Sequence, residues 1–185
     1  MDRFLGACGL LLLGCTASEP DDGVTSLRDD TYWVSLAAPD GWIVATDDDD
    51  PLPEHRPEPV VCSPHPWHVV GEGIEADTTE CNYVSLTTPL THDIEAGQPI
   101  AVDVWWSTLA SVEPATGHLA LFVGGQRLWE TEVQIPGPAD VRQFEFASPF
   151  SATAGEDVVF HLHNHGFNTW TLARFATLAS SDETP

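Results

Sequence analysis

The sequence predicts an all-β protein, an antiparallel β-sandwich of the jelly-roll kind, preceded by an export signal and an acidic, disordered linker. Three observations predict it. From Trp67 onward, short segments of alternating apolar and polar residues recur, each closed by Gly, Pro, Asn or Asp. No window of adequate length places apolar residues at helical spacing. About eight such segments in about 115 residues are what two packed antiparallel sheets require.

The first segment is not part of the fold. Met1 to Gly14 holds Arg3, the apolar run Phe4 to Leu13 and a small residue before Cys15, a run too short to span a bilayer as a mature helix. Residues 1–14 therefore read as an export signal. Leu12-Leu13-Gly14-Cys15 resembles the lipobox of bacterial lipoproteins, in which the cysteine is lipidated and becomes the new N-terminus. Leu13 stands where that motif commonly has a smaller residue, and Asp2 dilutes the basic flank. The resemblance implies lipidation at Cys15 and a place in the bacterial cell envelope, on the outer membrane or cell surface, with the membrane as a partner through the acyl chains.

Residues 15–61 form the expected tether. Acidic residues far outnumber Arg28 and Arg56, and Pro, Ser and Thr are frequent, so this stretch offers little apolar surface to offset chain entropy. One island interrupts it: Tyr32 to Leu36 and Trp42 to Val44 flank Ala38-Pro39-Asp40-Gly41, a hairpin signal over 32–46. The run Asp47 to Asp50 lacks the alternating ligands and glycine of a calcium loop and reads as solvated linker.

The domain proper is expected over 62–180, with a short tail at 181–185. Once Cys8 leaves with the signal and Cys15 is lipidated, Cys62 and Cys81 remain. In an exported chain these two read as a disulfide, closing a loop worth roughly 3 kcal/mol. The expected strands are 67–72, 82–87, 100–107, 117–123, 127–135, 142–147, 157–164 and 169–178, and Gly124-Gly125 marks a tight hairpin. An immunoglobulin-like sandwich is the alternative architecture, but the spacing of Cys62 and Cys81 is too short for its bridge between sheets.

Alternation then separates inside from outside. Val84, Leu86, Ile100, Val102, Val104 and Trp106 belong to the core, with Leu119, Leu121, Val123, Trp129, Val133 and Ile135. So do Phe144, Phe146, Val158, Phe160 and Leu162. The outward positions carry Tyr83, Ser85, Asp103, Trp105, His118, Phe122, Gln143, Glu145, His161 and His163, more aromatic than a plain solvated face.

Two functions compete on those outward residues. A tethered ligand-binding module would stack a carbohydrate ring on Tyr83 and Trp105 and bond its hydroxyls with Asp103, His118, Gln143, His161 and His163, provided all stand on one sheet face. A transition-metal site would use the histidine row His161, His163 and His165, with His118 an alternative third ligand. Neutral imidazoles suit zinc or copper, and no other cofactor is implied. A structural or adhesive surface lipoprotein is the third reading. The turn Asn164 to Trp170 resembles the closing strands of galactose-binding-like jelly rolls and sugar-binding modules, which implies the first.

Other classes are excluded or unsupported. The formal charge is −23 and there is no lysine, so no basic patch can neutralise phosphates and nucleic acid is no partner. No serine sits in a nucleophile turn, and no cysteine is free once Cys62 and Cys81 pair, so an enzyme is not expected.

Overall fold

The computed structural model describes residues 31–180, so the expected export signal, the expected lipidation at Cys15 and the expected tail at 181–185 lie outside the described residues. Eleven strands run in chain order: β1 (Thr31–Ser35), β2 (Ile43–Val44), β3 (Trp67–Val70), β4 (Gly73–Asp77), β5 (Tyr83–Pro89), β6 (Pro99–Trp106), β7 (Ala115–Val123), β8 (Gln126–Ile135), β9 (Asp140–Ala147), β10 (Asp157–His163) and β11 (Thr169–Ser180). They form two antiparallel sheets. The first has the order β3-β4-β11-β6-β9, with β1 also on β11; the second has the order β2-β5-β10-β7-β8. From β4 on, the strands distribute between the sheets as β4-β11-β6-β9 and β5-β10-β7-β8, the order of a jelly roll.

Parity fixed the interior correctly. Ile100, Val102 and Val104 of β6, Leu119, Leu121 and Val123 of β7, and Val158 and Leu162 of β10 are fully buried between the sheets. Phe144 and Phe146 pack against that core from β9. Trp170 is fully buried and tilted against Trp106 with ring centroids 5.3 Å apart. Gly117 faces it so closely that a Cβ there would stand 2.8 Å from the indole, which is why this strand position carries no side chain. Gly124 and Gly125 close the β7–β8 hairpin with φ of 55° and 74°, as a tight two-residue turn demands.

Three differences from the sequence reading matter for function. β4 lies between the expected strands 67–72 and 82–87, where the sequence predicts no strand. Its residues Gly73, Glu75, Ala76 and Asp77 have low strand propensity, and pairing with β3 and β11 overrides it. The hairpin expected over 32–46 does not form, because its halves join different sheets: β1 pairs with β11, and β2 pairs with β5. Leu36 and Trp42 between them sink into the core, so the sandwich begins at Thr31 rather than at residue 62.

The third difference concerns the rest of the expected tether. Residues 46–56 form a strap across the outer face of the second sheet. Leu52 covers Ala120, Phe122 and Val159, which explains why an outward phenylalanine is buried. The Tyr83 hydroxyl donates to Asp50 Oδ2 at 2.5 Å, and its oxygen lies 3.1 Å from the Leu52 carbonyl. Arg56 bridges to Asp47 at 2.5 Å and lies over the Tyr83 ring at 5.7 Å. Asp50 is therefore a buried acceptor and not part of a solvated acidic run. Beyond the strap the expected disulfide, Cys62–Cys81, ties the chain to the residues just before β5, and the chain itself continues into β3.

Candidate functional site

A sandwich has two outer faces, and the outward residues divide between them. Asp103, Trp105 and Gln143 stand on the first sheet, where Asp103 pairs in register with Gln143 and with Arg174 of β11. Tyr83, His118, His161 and His163 stand on the second, where His163 lies opposite Tyr83 on one side and His118 on the other. The single seven-residue site expected from the sequence therefore does not exist. Alternation tells inside from outside, but not which sheet a strand joins.

On the first sheet, Asp103 is an acceptor held by two neighbours. Arg174 Nη2 donates to Asp103 Oδ1 at 3.0 Å, its Nε stands 2.9 Å from Oδ2 as an ion contact, and Gln143 Nε2 donates to Oδ2 at 3.3 Å. Arg174 also reaches Glu145 at 3.8 Å and lies over the Trp33 ring at 5.3 Å. Trp105 stands on the same face between Thr171 and the exposed Val141. Trp33 was not anticipated, because β1 was assigned to a tether. Leu178 opposite Trp33 and Thr171 opposite Trp105 lie about 20 Å apart along β11 at roughly 3.3 Å per residue, once the extra residue of the bulge between Leu172 and Arg174 is discounted. Both tryptophans are half-buried, each leaving part of its ring open.

The second sheet presents a histidine cluster. His161 is fully buried, with the Tyr83 ring edge-on at 5.2 Å. Its ring centroid is 5.3 Å from that of His118 and 5.4 Å from that of His55, which the strap delivers from the short 3-10 turn Pro53–His55. His55 Nδ1 and His161 Nε2 approach to 3.4 Å. His118 Nε2 faces Glu130 Oε2 at 3.3 Å, and Arg127 donates to the same oxygen at 2.9 Å.

The histidine row expected as a metal site is only partly assembled. His161 and His163 point the same way, but their rings are 6.5 Å apart, and His165 is exposed on the loop after β10, with its ring 4.6 Å from that of His163. Among the described residues, the three whose ligand atoms lie within 4.8 Å of one another are His55, His118 and His161. No spacing in the sequence could have recruited His55, which meets His161 across 106 residues. The only local cue is Pro53, which presets the turn that presents it.

Burial, and next the electrostatic influence of His118, His55 and His163, push the pKa of His161 down to about 3; burial, then the influence of His165, His55 and His118, push His163 down to about 4. Below their ordinary value of 6.5 the unfolded chain takes up protons that the folded cluster refuses. Stability is thus full above 6.5 and falls as pH drops toward 3, by about 2 kcal/mol from His161 alone at pH 5. Chemical denaturation of metal-free protein at pH 7 and pH 5 measures this, with His161→Phe as the non-titrating reference. The variant is expected to lose less stability on acidification, and an equal loss in both proteins contradicts the assignment.

No protein-family model matches the chain, and no curated protein does. Solved structures of similar shape include the N-terminal cellulose-binding domain of Cellulomonas fimi β-1,4-glucanase C, with 11% identity over 82% of this chain and 96% of that one and a TM-score of 0.44. The C-terminal CBM6 of LamC from the marine Zobellia galactanivorans is 13% identical over 80% of this chain and 100% of its own, with a TM-score of 0.39. The Agl-KA catalytic domain matches 83% of this chain with 28% of its own length, at 10% identity and a TM-score of 0.42. The likeness is one of general sandwich architecture and brings no ligand with it.

Proposed function

We infer that the protein is a non-catalytic, lipid-anchored binding module of the bacterial cell envelope, held through Cys15, with a carbohydrate ligand on the outer face of its first sheet. The observation that carries this reading is the constellation of Trp33, Trp105, Asp103, Arg174 and Gln143 on one surface. Sugar rings offer apolar C–H faces that pack on indoles, and hydroxyls that bond to planar carboxylate, guanidinium and amide groups. The buttressed Asp103 is a fixed acceptor, so little ordering is needed when a hydroxyl reaches it. A spacing of about 20 Å between the tryptophans suits an extended chain of several sugar units rather than a single ring. The acidic surface favours neutral glycans over polyanionic ones. Anchoring rests on the apolar run Phe4 to Leu13 followed by Gly14-Cys15.

The second sheet is a poor sugar site. The strap covers it, the hydroxyl of Tyr83 is committed to Asp50 and Leu52, and His161 is inaccessible.

Affinity electrophoresis against neutral soluble polysaccharides tests this, followed by calorimetry with the oligosaccharide of whichever retards the protein. Trp105→Ala is expected to weaken binding by about tenfold or more, on the scale of a lost aromatic contact, and Trp33→Ala to weaken long oligosaccharides more than short ones. Retardation by none of them, or binding indifferent to Trp105→Ala, overturns the proposal.

A further inference from the structure

We propose that His55, His118 and His161 form a binding site for a transition-metal dication of the zinc or copper class, on the sheet face opposite the carbohydrate surface and independent of it.

The three imidazoles come from three separate elements: the strap, β7 and β10. Their ligand atoms fall within 4.8 Å of one another, and the group consists of imidazoles alone. A neutral imidazole has one donor and one acceptor, and in this cluster Nδ1 of His118 and Nδ1 of His161 are buried without a hydrogen-bond partner, so the three rings do not satisfy one another. The contact between His55 Nδ1 and His161 Nε2, at 3.4 Å, is long for a hydrogen bond. It matches the edge of a tetrahedron around an ion with Zn–N bonds of about 2.0–2.1 Å, an edge of roughly 3.3 Å.

The surroundings fit as well. His118 gives Nε2 to Glu130, which leaves its buried Nδ1 without a partner, and this is the nitrogen left for an ion. A carboxylate behind a ligating imidazole orients the ring and raises its basicity. Glu130 is itself fixed by Arg127. His161 is held by the Tyr83 ring. All-nitrogen donors select zinc, copper or nickel over calcium and magnesium, which want oxygen. Three protein ligands leave a tetrahedral ion one further position, and His163, with its ring 5.7 Å from that of His55, stands beside it.

Full-length protein stripped with chelator is titrated calorimetrically with zinc chloride and separately with calcium chloride, and cobalt substitution is followed by visible absorption. One equivalent of zinc is expected to bind, calcium is not, and cobalt is expected to give the intense bands of a four-coordinate site. His55→Ala, on the strap and outside the sandwich core, is expected to weaken zinc by about 100-fold or more, since a lost ligand exceeds the 10–100-fold cost of a lost outer partner. Glu130→Gln is expected to weaken it about tenfold, while His92→Ala leaves it unchanged. Absence of zinc binding, equal binding of calcium, or zinc binding unaltered in His55→Ala overturns the proposal. Because the Trp105 surface is untouched by these variants, failure here leaves the carbohydrate assay unaffected, and the reverse holds.

Discussion

Trp42→Ala is expected to destabilise the protein by about 3–5 kcal/mol, the cost of emptying a large buried aromatic site. Trp42 is 4% exposed and packs in the main core with Leu36, in a stretch whose acidic flanks read as linker. Leu36 N donates to the Phe175 carbonyl at 2.9 Å, and Ala37 bridges to Leu90, so the segment ties both sheets together at one end. For a domain of this size the loss corresponds to a fall in Tm of roughly 10–15 °C. Urea denaturation followed by tryptophan fluorescence and by circular dichroism gives the value. A change below about 1 kcal/mol, the usual range for surface substitutions, would mean that Thr31 to Arg56 is a loose leader and that the strap carrying His55 is not part of the fold.

Asn164→Ala is expected to cost about 3–5 kcal/mol for a different reason. Asn164 Oδ1 accepts from Gly166 N at 2.6 Å and from Asn168 Nδ2 at 3.0 Å, and its Nδ2 donates to the Thr78 hydroxyl. Asn168 Oδ1 in turn accepts from Ala110 N at 2.7 Å, so one buried amide pair joins three loops at the end of the sandwich. Removing it leaves several buried partners unsatisfied at about 1–3 kcal/mol each. Asn82→Ala, an exposed amide that reaches only Val61 and Pro59, is the control and is expected to stay within about 1 kcal/mol. The motif Asn164 to Trp170, which resembles the closing turn of sugar-binding modules, is thus a buried weld. A stable Asn164→Ala protein that no longer bound carbohydrate would return the motif to a role in recognition.

The strands and the core were legible because alternation is a local property of the chain. Ile100 to Trp106 and Val158 to Leu162 announce their inward residues within a few positions, and turn residues bracket them. The partition of the outer residues was not legible. Trp105 and His118 both point outward, yet they stand on opposite sides of the molecule, because their strands β6 and β7 belong to different sheets. The strap was hidden for a related reason. The acidic composition of residues 46–56 argues for solvation, and it is overridden by one apolar contact at Leu52 and by the pairing of Asp50 and Arg56 with Tyr83. His55 comes from that strap and Trp33 from β1, both within the residues 15–61 whose composition reads as a tether.

The two outer surfaces together give the protein its character. One is open, aromatic and hydrogen-bonding; the other is covered, imidazole-rich and shielded by Leu52 and Tyr83. The central claim is that these are separate sites for ligands of different chemistry on one sandwich. Nuclear magnetic resonance of nitrogen-labelled protein, titrated first with zinc and then with the retained oligosaccharide, tests it most directly. Zinc is expected to move the resonances of His55, His118 and His161 and leave the Trp33 and Trp105 indoles in place, and the oligosaccharide is expected to do the reverse. Both ligands moving the same residues, or the oligosaccharide acting on the histidine face, would contradict it.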